Sequence, residues 1–88
     1  MESTFEGREP EIHYPTVWAY RLIGEDEGAM RAAVIDVIGE LDHELGVRNS
    51  SAGGRYLSLA LELVVSSHEQ RRAIFQGLAE HPAIRVVI

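Results

Sequence analysis

The chain has 88 residues, of which 45% are apolar and 25% charged, and this balance is typical of one small globular domain. Its 14 acidic and 8 basic residues give a formal charge of -6, so the chain repels nucleic-acid phosphates on average. All 8 basic residues are arginines and cysteine is absent. This composition excludes Schiff-base lysine chemistry, thiol catalysis, disulfides and thiolate metal ligands.

The bounds of the predicted domain follow from the composition of the chain. Residues 1–13 hold four glutamates against one arginine, which predicts a flexible acidic N-terminal segment. A single domain is then expected over residues 14–88. No apolar run approaches the roughly 18 residues of a membrane span, and the first residues are acidic where a signal peptide is basic. We therefore expect a soluble cytoplasmic protein with no membrane or nucleic-acid partner.

The first predicted element is a strand over residues 17–23, a β-branched and aromatic run that ends at Gly24. Alternation places Trp18, Tyr20 and Leu22 on one face, which is predicted to be the core. The intervening residues of the strand are predicted to face away from the core: Val17, Ala19, Arg21 and Ile23.

A turn at residues 24–28 leads into the first predicted helix, for which Asp26 is the expected N-cap. Apolar residues then recur at helical spacing and predict one buried stripe: Met30, Val34, Val37, Leu41 and Leu45. Gly46 is predicted to end this helix in a left-handed conformation.

The middle of the chain predicts a hairpin, with a short polar strand over residues 47–51, a glycine turn at residues 52–54, and a long strand through Val65. In the long strand, alternate positions are leucines that are expected in the core: Leu57, Leu59, Leu61 and Leu63.

The last third of the chain predicts a second helix and a final strand. Ser66 and Ser67 each precede a Glu or Gln at capping-box spacing, which indicates a helix start. Its apolar side is predicted from three residues, Ile74, Phe75 and Leu78. His81-Pro82 is expected to end the helix, and residues 84–88 to form the final strand.

The element order β-α-β-β-α-β is that of a ferredoxin-like α+β sandwich. Right-handed crossovers then place both helices on one face of a four-stranded antiparallel sheet with the strand order 4-1-3-2.

Three groups of residues carry a resemblance to a known family. They are Tyr14-Pro15-Thr16 with Tyr20 and Gly24, the hairpin residues Ser50-Ser51, Gly53, Tyr56 and Ser58, and Glu69-Gln70 with the ending Arg85-Val86-Val87-Ile88. With them, residues 14–88 resemble the YbeD-like family, small bacterial proteins grouped as a domain of unknown function. The resemblance implies a ferredoxin-like fold similar to the regulatory ACT domain, a module that binds small effectors such as amino acids between paired domains. It implies no known activity.

An ACT-like effector site would use the turn after the first strand, here Gly24, Glu25 and Asp26. The acids already satisfy the amides at the helix start and repel a ligand carboxylate. Two interpretations stay open, namely a turn that only caps the helix and a turn that recognises an amine or a cation.

The hairpin at residues 49–56 is small, polar and glycine-rich, and is either a binding loop for a ligand or partner or a plain tight turn. Its candidate binding residues are Asn49, Ser50, Ser51, Gly53 and Tyr56.

The sheet face away from the helices is predicted to be unusually apolar for a solvated surface. It is either a solvated face or an interface with a second copy or another partner, in which Arg21, Glu62 and Arg85 pair across adjacent strands. The candidate interface residues are Val17, Ala19, Arg21, Ile23, Ala60, Glu62, Val64, Arg85 and Val87.

No catalytic residue, cofactor or metal site is predicted, because the histidines stand singly and the serines lack a nucleophile elbow. The favoured hypothesis is a non-enzymatic, ACT-like regulatory module that forms a homodimer and binds a small metabolite at the dimer interface. The alternative is an adaptor that docks on a larger enzyme through the sheet face or the hairpin.

Overall fold

The computed structural model describes residues 11–50 and 52–88. Residues 1–10 of the predicted flexible segment, which spans residues 1–13, lie outside the described residues. The flexibility of the segment stays a prediction. Neither helix of the described part is long and apolar enough to cross a bilayer. The elements in chain order are β1 (Thr16–Gly24), α1 (Glu27–Ile38), β2 (Glu44–Ser50), a 3-10 turn (Ala52–Gly54), β3 (Leu57–Val65), α2 (His68–Glu80) and β4 (Val86–Val87).

The four strands form one sheet in the order β2-β3-β1-β4, and all three neighbouring pairs are antiparallel. The predicted strand order 4-1-3-2 is confirmed, since it is the observed order read from the β4 edge of the sheet. The central pair, β1 and β3, is in continuous register from Thr16↔Val65 to Gly24↔Leu57.

The core lies between the sheet and the two helices, and the leucines of β3 form its floor. Leu59 and Leu61 are fully buried, as are Leu22 on β1 and Val34 on α1. This confirms the predicted alternation in both central strands. Ser58 departs from it, because it is only 7% exposed although its strand position faces away from the helices.

Helix α1 begins as predicted, since Asp26 Oδ1 accepts a hydrogen bond from the Ala29 N–H at 3.0 Å. The prediction that it ends at Gly46 is wrong. The helix ends at Ile38, because Gly39 adopts a positive φ of 65° and its N–H bonds back to Ile35 O.

The apolar spacing that suggested a longer helix is produced by residues in different elements. Leu41 is exposed in the connection that follows α1, and Leu45 lies in β2 opposite Leu61 on the core side of the sheet. Strand β2 therefore starts at Glu44 rather than at Val47, and it contains an irregularity between Val47 and Asn49.

Helix α2 starts at the second of the two predicted capping serines. Ser67 Oγ accepts from the Gln70 N–H at 3.0 Å, and the Ser66 N–H donates to Gln70 Oε1 at 2.6 Å. The helix ends at the predicted His81. Ile74 is buried, but the prediction that Phe75 belongs to the same buried side is wrong, since Phe75 is 45% exposed.

Tyr20 connects β1 to α2. Its side chain is 3% exposed, and its hydroxyl donates to the main-chain carbonyl of Arg71 at 2.7 Å. Burial raises the pKa of Tyr20 above the ordinary value of 10.0, and the positive charge of Arg71 opposes that effect only in part. The neutral phenol is therefore the form that the folded protein stabilises.

We expect Tyr20→Phe to cost about 1 kcal/mol of stability at neutral pH, because it removes one buried hydrogen bond. The contribution of the neutral phenol is present below the unfolded-state pKa and is lost as pH rises through the raised folded-state pKa. The free energy of unfolding should therefore fall more steeply above about pH 10 in the wild type than in Tyr20→Phe. Urea unfolding at several pH values tests this, and parallel curves would contradict it.

Candidate functional site

The outer sheet face is the surface of the sheet opposite the helices. The register of β1 and β3 sets Val17 beside Val64 at one end and Arg21 beside Ala60 near the middle. Since directly opposed residues of an antiparallel pair share a face, all odd-numbered residues of β1 lie on it. The central part of this face is formed by Val17, Ala19, Arg21, Ile23, Ala60, Glu62 and Val64, as predicted.

Two of the predicted face residues lie elsewhere. Val87 is paired with Leu22, which belongs to the core, so Val87 faces the helices and Val86 lies beside Ile23 instead. The prediction was wrong because the register of β4 cannot be obtained from its sequence alone: a shift by one residue exchanges the faces.

Arg85 pairs at the turn after β1 rather than across the outer sheet face. Its Nη1 atom donates to Glu25 Oε2 at 2.9 Å, and its guanidinium carbon lies 5.9 Å from the Tyr56 ring centroid. Among the described residues, Arg21 and Glu62 make no ion pair at all. The predicted cross-strand pairing of Arg21, Glu62 and Arg85 is therefore absent from this part of the chain.

The two valines of the outer sheet face are exposed, whereas Ile23 and Ala60 are half-buried. Val17 is 62% exposed and the adjacent Val64 is 54% exposed, although both lie on the central strands. Two opposite charges, Arg21 and Glu62, lie between this valine pair and Ile23. The face thus combines exposed valine side chains with charges of both signs that have no ion-pair partner in residues 11–50 and 52–88.

An open depression with a volume of about 340 Å³ lies where the valine pair meets the start of β2. Val17 and Val64 form part of its apolar wall, and Asp42, Glu44 and Glu62 carry carboxylates on its rim. Glu44 and Glu62 are directly opposed across β2 and β3, an arrangement that is unfavourable for two like charges. Within the described chain, no three His, Asp or Glu side chains are grouped so as to hold a metal ion.

Each of the three residues proposed as a binding site at the turn after β1 has a structural role. Asp26 caps α1 and Glu25 pairs with Arg85. A Cβ atom on Gly24 would lie 2.8 Å from both Ala83 O and Met30 Sδ, so this position has no room for a side chain. The geometry favours the capping interpretation over an effector site at this turn.

The hairpin at residues 49–56 holds its predicted turn at the glycines. Gly53 and Gly54 have φ values of 84° and 72°, which favour glycine. Asn49 is opposite Ser58, whose buried Oγ has no hydrogen-bond partner in the described structure. Tyr56 lies near the guanidinium groups of Arg55 and Arg85. Ser50 is exposed at the end of β2, and Ser51 lies outside the described residues.

A polar and aromatic cluster at the start of α2 was missed by the sequence analysis. Arg71 Nε donates to the Tyr14 hydroxyl at 3.0 Å, and His68 Nδ1 is 3.0 Å from the same oxygen. The Arg71 guanidinium also lies over the Trp18 ring at 4.6 Å from its centroid. Residues 14 and 71 are far apart in sequence, so no local pattern signals their contact.

The four-stranded antiparallel sheet and its two helices define a small protein with a ferredoxin-like fold, which ACT domains share. Residues 9–88 match the family described as "Protein of unknown function (DUF493)", and the chain belongs to that family. This confirms the YbeD-like resemblance. The uncharacterized protein Cj0253 of Campylobacter jejuni is 35% identical over 71 residues, which cover 81% of this chain and 82% of that protein.

Two solved structures show the same fold. Protein HP0495 from H. pylori has a TM-score of 0.81 at 20% identity, covering 100% of this chain and 97% of that one. The ACT domain from GTP pyrophosphokinase of Chlorobium tepidum has a TM-score of 0.57 at 19% identity, covering 82% of this chain and 94% of that domain. At these identities the likeness concerns the fold.

The two glycines Gly24 and Gly46 provide a matched test of the turn after β1. We expect Gly24→Ala to destabilise the protein by about 1–3 kcal/mol, because its Cβ would overlap Ala83 O and Met30 Sδ. Gly46→Ala should change stability little, since no atom lies within 4 Å of its added Cβ. Urea unfolding of both variants measures the difference, and equal free energies of unfolding would refute a packed turn.

Proposed function

We propose that this protein is a non-enzymatic, ACT-like regulatory module that forms a homodimer through its outer sheet face and binds a small amine beside that interface. The observation that supports it most is that Arg21 and Glu62, which have no ion-pair partner among the described residues, lie on the same face as two exposed valines. A surface of this composition is suited to contact another surface of complementary charge.

A two-fold axis makes the face complementary to itself. In such a dimer the same patch is used twice, so that Arg21 of each copy can meet Glu62 of the other. The paired valines, Val17 and Val64, are then removed from water on both copies, and the two sheets pack face to face at about 10 Å. Dimerisation thus gives both charges a partner and covers the exposed apolar area.

The depression at the end of this face supplies the effector site. With Glu62 engaged by Arg21 of the second copy, the carboxylates of Asp42 and Glu44 remain on the rim, and neither has an ion-pair partner in the described part of the chain. The valine wall would contact an apolar group and the carboxylates an ammonium group. The site therefore favours a small molecule with an amine and an apolar part over an organic acid.

The adaptor alternative has support at the hairpin. Asn49, Ser50 and Gly53 are exposed there, and the buried Ser58 hydroxyl beneath them has no partner among the described residues. The exposed Asn49 and Ser50 can hydrogen-bond to a partner surface, whereas Ser58 Oγ is too buried for a partner to reach. This alternative predicts binding to a protein without any response to small amines.

Charge exchange tests the dimer. We expect Arg21→Glu and Glu62→Arg each to weaken dimerisation, because each sets like charges against each other across the two-fold axis. The double variant, with both changes, should restore it. The control is Arg72→Glu, which makes the same charge change at an exposed position of α2, on the opposite side of the sheet. Sedimentation velocity at micromolar concentrations measures the dimer fraction, and a monomeric wild type, or a double variant no better than the singles, would contradict the proposal.

A thermal-shift series tests the effector site independently. Small aliphatic and aromatic amines are compared with their isosteric alcohols and carboxylic acids. An amine at a hundred times its dissociation constant should add about 2.7 kcal/mol of stability, which is several degrees for a domain of this size. Glu44→Gln should abolish the response, whereas the exposed Glu40→Gln, outside the depression, should retain it. Equal shifts in both variants, or no shift with any amine, would refute the site.

A further inference from the structure

Strand β1 is paired along its whole length on one side but only in part on the other. Strand β4 pairs with Leu22 and Ile23, and two backbone hydrogen bonds join Arg21 to Ile88. Within residues 11–50 and 52–88, no strand pairs with the same side of β1 over residues 16–20. In the described part of the chain, the first half of β1 therefore has a free edge, whose backbone groups pair with no other strand.

The backbone groups on that edge can be identified from the alternation of the ladder. Arg21 and Ile23 direct their hydrogen-bonding groups toward β4, so Val17 and Ala19 direct theirs to the same side. No residue of the described chain hydrogen-bonds to the backbone N–H or carbonyl group of Val17 or Ala19. These groups have the spacing that an added strand requires.

A groove runs beside this edge, between β1 and α2, with a volume of about 430 Å³. We call it the β1–α2 groove. Its lining includes Phe75, which is 45% exposed, and Ile88, which is 71% exposed. These exposed apolar side chains lie next to the unpaired backbone, so one extended segment could contact both.

The groove has a cationic end. Arg71 and Arg72 both line it, and neither has a carboxylate partner among the described residues. Arg71 lies over Trp18, whereas Ile88 is bonded to Arg21 further along β1. The groove is therefore cationic toward the start of β1 and apolar toward β4, on a chain whose net charge is -6.

The two edges of the sheet differ in how they are protected. The edge strand β2 contains charged residues, Glu44 and Arg48, and an irregularity between Val47 and Asn49. Charges and bulges are the features by which proteins prevent unwanted strand addition. The free edge at Val17 and Ala19 has neither feature.

A second copy of the chain is an unsuitable occupant. Antiparallel pairing of two β1 edges about a two-fold axis would keep both α2 helices on the same face and bring them toward each other. Arg71 and Arg72 of the two copies would then approach with like charge, which costs free energy. An acidic partner segment has the complementary charge.

We infer that the β1–α2 groove binds an extended, acidic peptide segment of a partner protein as an added strand beside β1. The segment runs antiparallel to β1, with apolar side chains against Phe75 and Ile88 and carboxylates against Arg71 and Arg72. Its backbone bonds to Val17 and Ala19. This site is separate from the outer sheet face, because it uses the edge of the sheet.

The probe for this site is a fluorescein-labelled peptide, Ile-Thr-Phe-Thr-Glu-Glu, titrated with the full chain and followed by fluorescence anisotropy. We expect saturable binding that Arg72→Glu weakens by about tenfold or more, since it reverses one of the two cations. The matched control, Arg48→Glu, makes the same charge change on the opposite sheet edge and should bind as the wild type does.

Two further comparisons test strand addition itself. The same peptide with N-methylated alternate amides should bind at least tenfold more weakly, because its backbone donors are blocked. Ala19→Pro removes a backbone N–H that is not used in pairing with β3, and should weaken binding without loss of the fold. Absence of saturable binding to the wild type, equal affinity for the N-methylated peptide, or equal effects of Arg72→Glu and Arg48→Glu would each overturn the inference.

Discussion

The antiparallel pairing of β1 with β3 is the constraint on which the rest of this structure depends. It is the longest ladder among the described residues and runs without a shift from Thr16↔Val65 to Gly24↔Leu57. This register decides that Tyr20 and Leu22 enter the core. By the same alternation it decides that Val17, Ala19 and Arg21 face outward.

Both proposed binding surfaces follow from that alternation. The odd-numbered residues of β1 present their side chains on the outer sheet face, opposite the residues of β3 that complete it. They also present their backbone groups toward β4, which covers Arg21 and Ile23 but not Val17 and Ala19. Strand β1 therefore contributes side chains to the outer sheet face and backbone groups to the β1–α2 groove. A partner can bind at either surface without covering the other.

Helix α2 is held against β1 by contacts that also shape the β1–α2 groove. The Tyr20 hydroxyl bonds to the Arg71 carbonyl, and the Arg71 guanidinium is fixed by Tyr14 and Trp18. Neither Tyr14 nor Trp18 carries a negative charge, so these two contacts do not compensate the positive charge of Arg71 beside the groove. The same residue thus contributes to the packing of the helix and to the electrostatics of the surface.

Most of the fold was predictable because its signals are local. Leucines on alternate residues of β3, the Asp26 and Ser67 caps and the hairpin glycines each depend on a few neighbouring residues. The end of α1 was not predictable from apolar spacing. Leu41 and Leu45 continue the helical period, but Gly39 can adopt a positive φ and ends the helix before them.

The site was predictable only in part, because its geometry depends on register and on contacts between distant residues. The face of Val87 depends on how β4 aligns with β1, and the pairing of Arg85 with Glu25 joins residues that lie far apart in the sequence. Phe75 belongs to the apolar set of α2 but lies at the groove rather than in the core. Neither the free edge of β1 nor the uncovered groove has a signature in the sequence of any one element.

Hydrogen exchange of individual backbone amides along β1 tests the central claim most directly. The account predicts slow exchange at Trp18 and Tyr20, whose amides pair with β3, and fast exchange at Val17 and Ala19, whose amides face the free edge. Equal protection of all four amides would show that the edge is covered in the free protein. Slow exchange at Val17 and Ala19 with fast exchange at Trp18 and Tyr20 would show that the register itself is wrong.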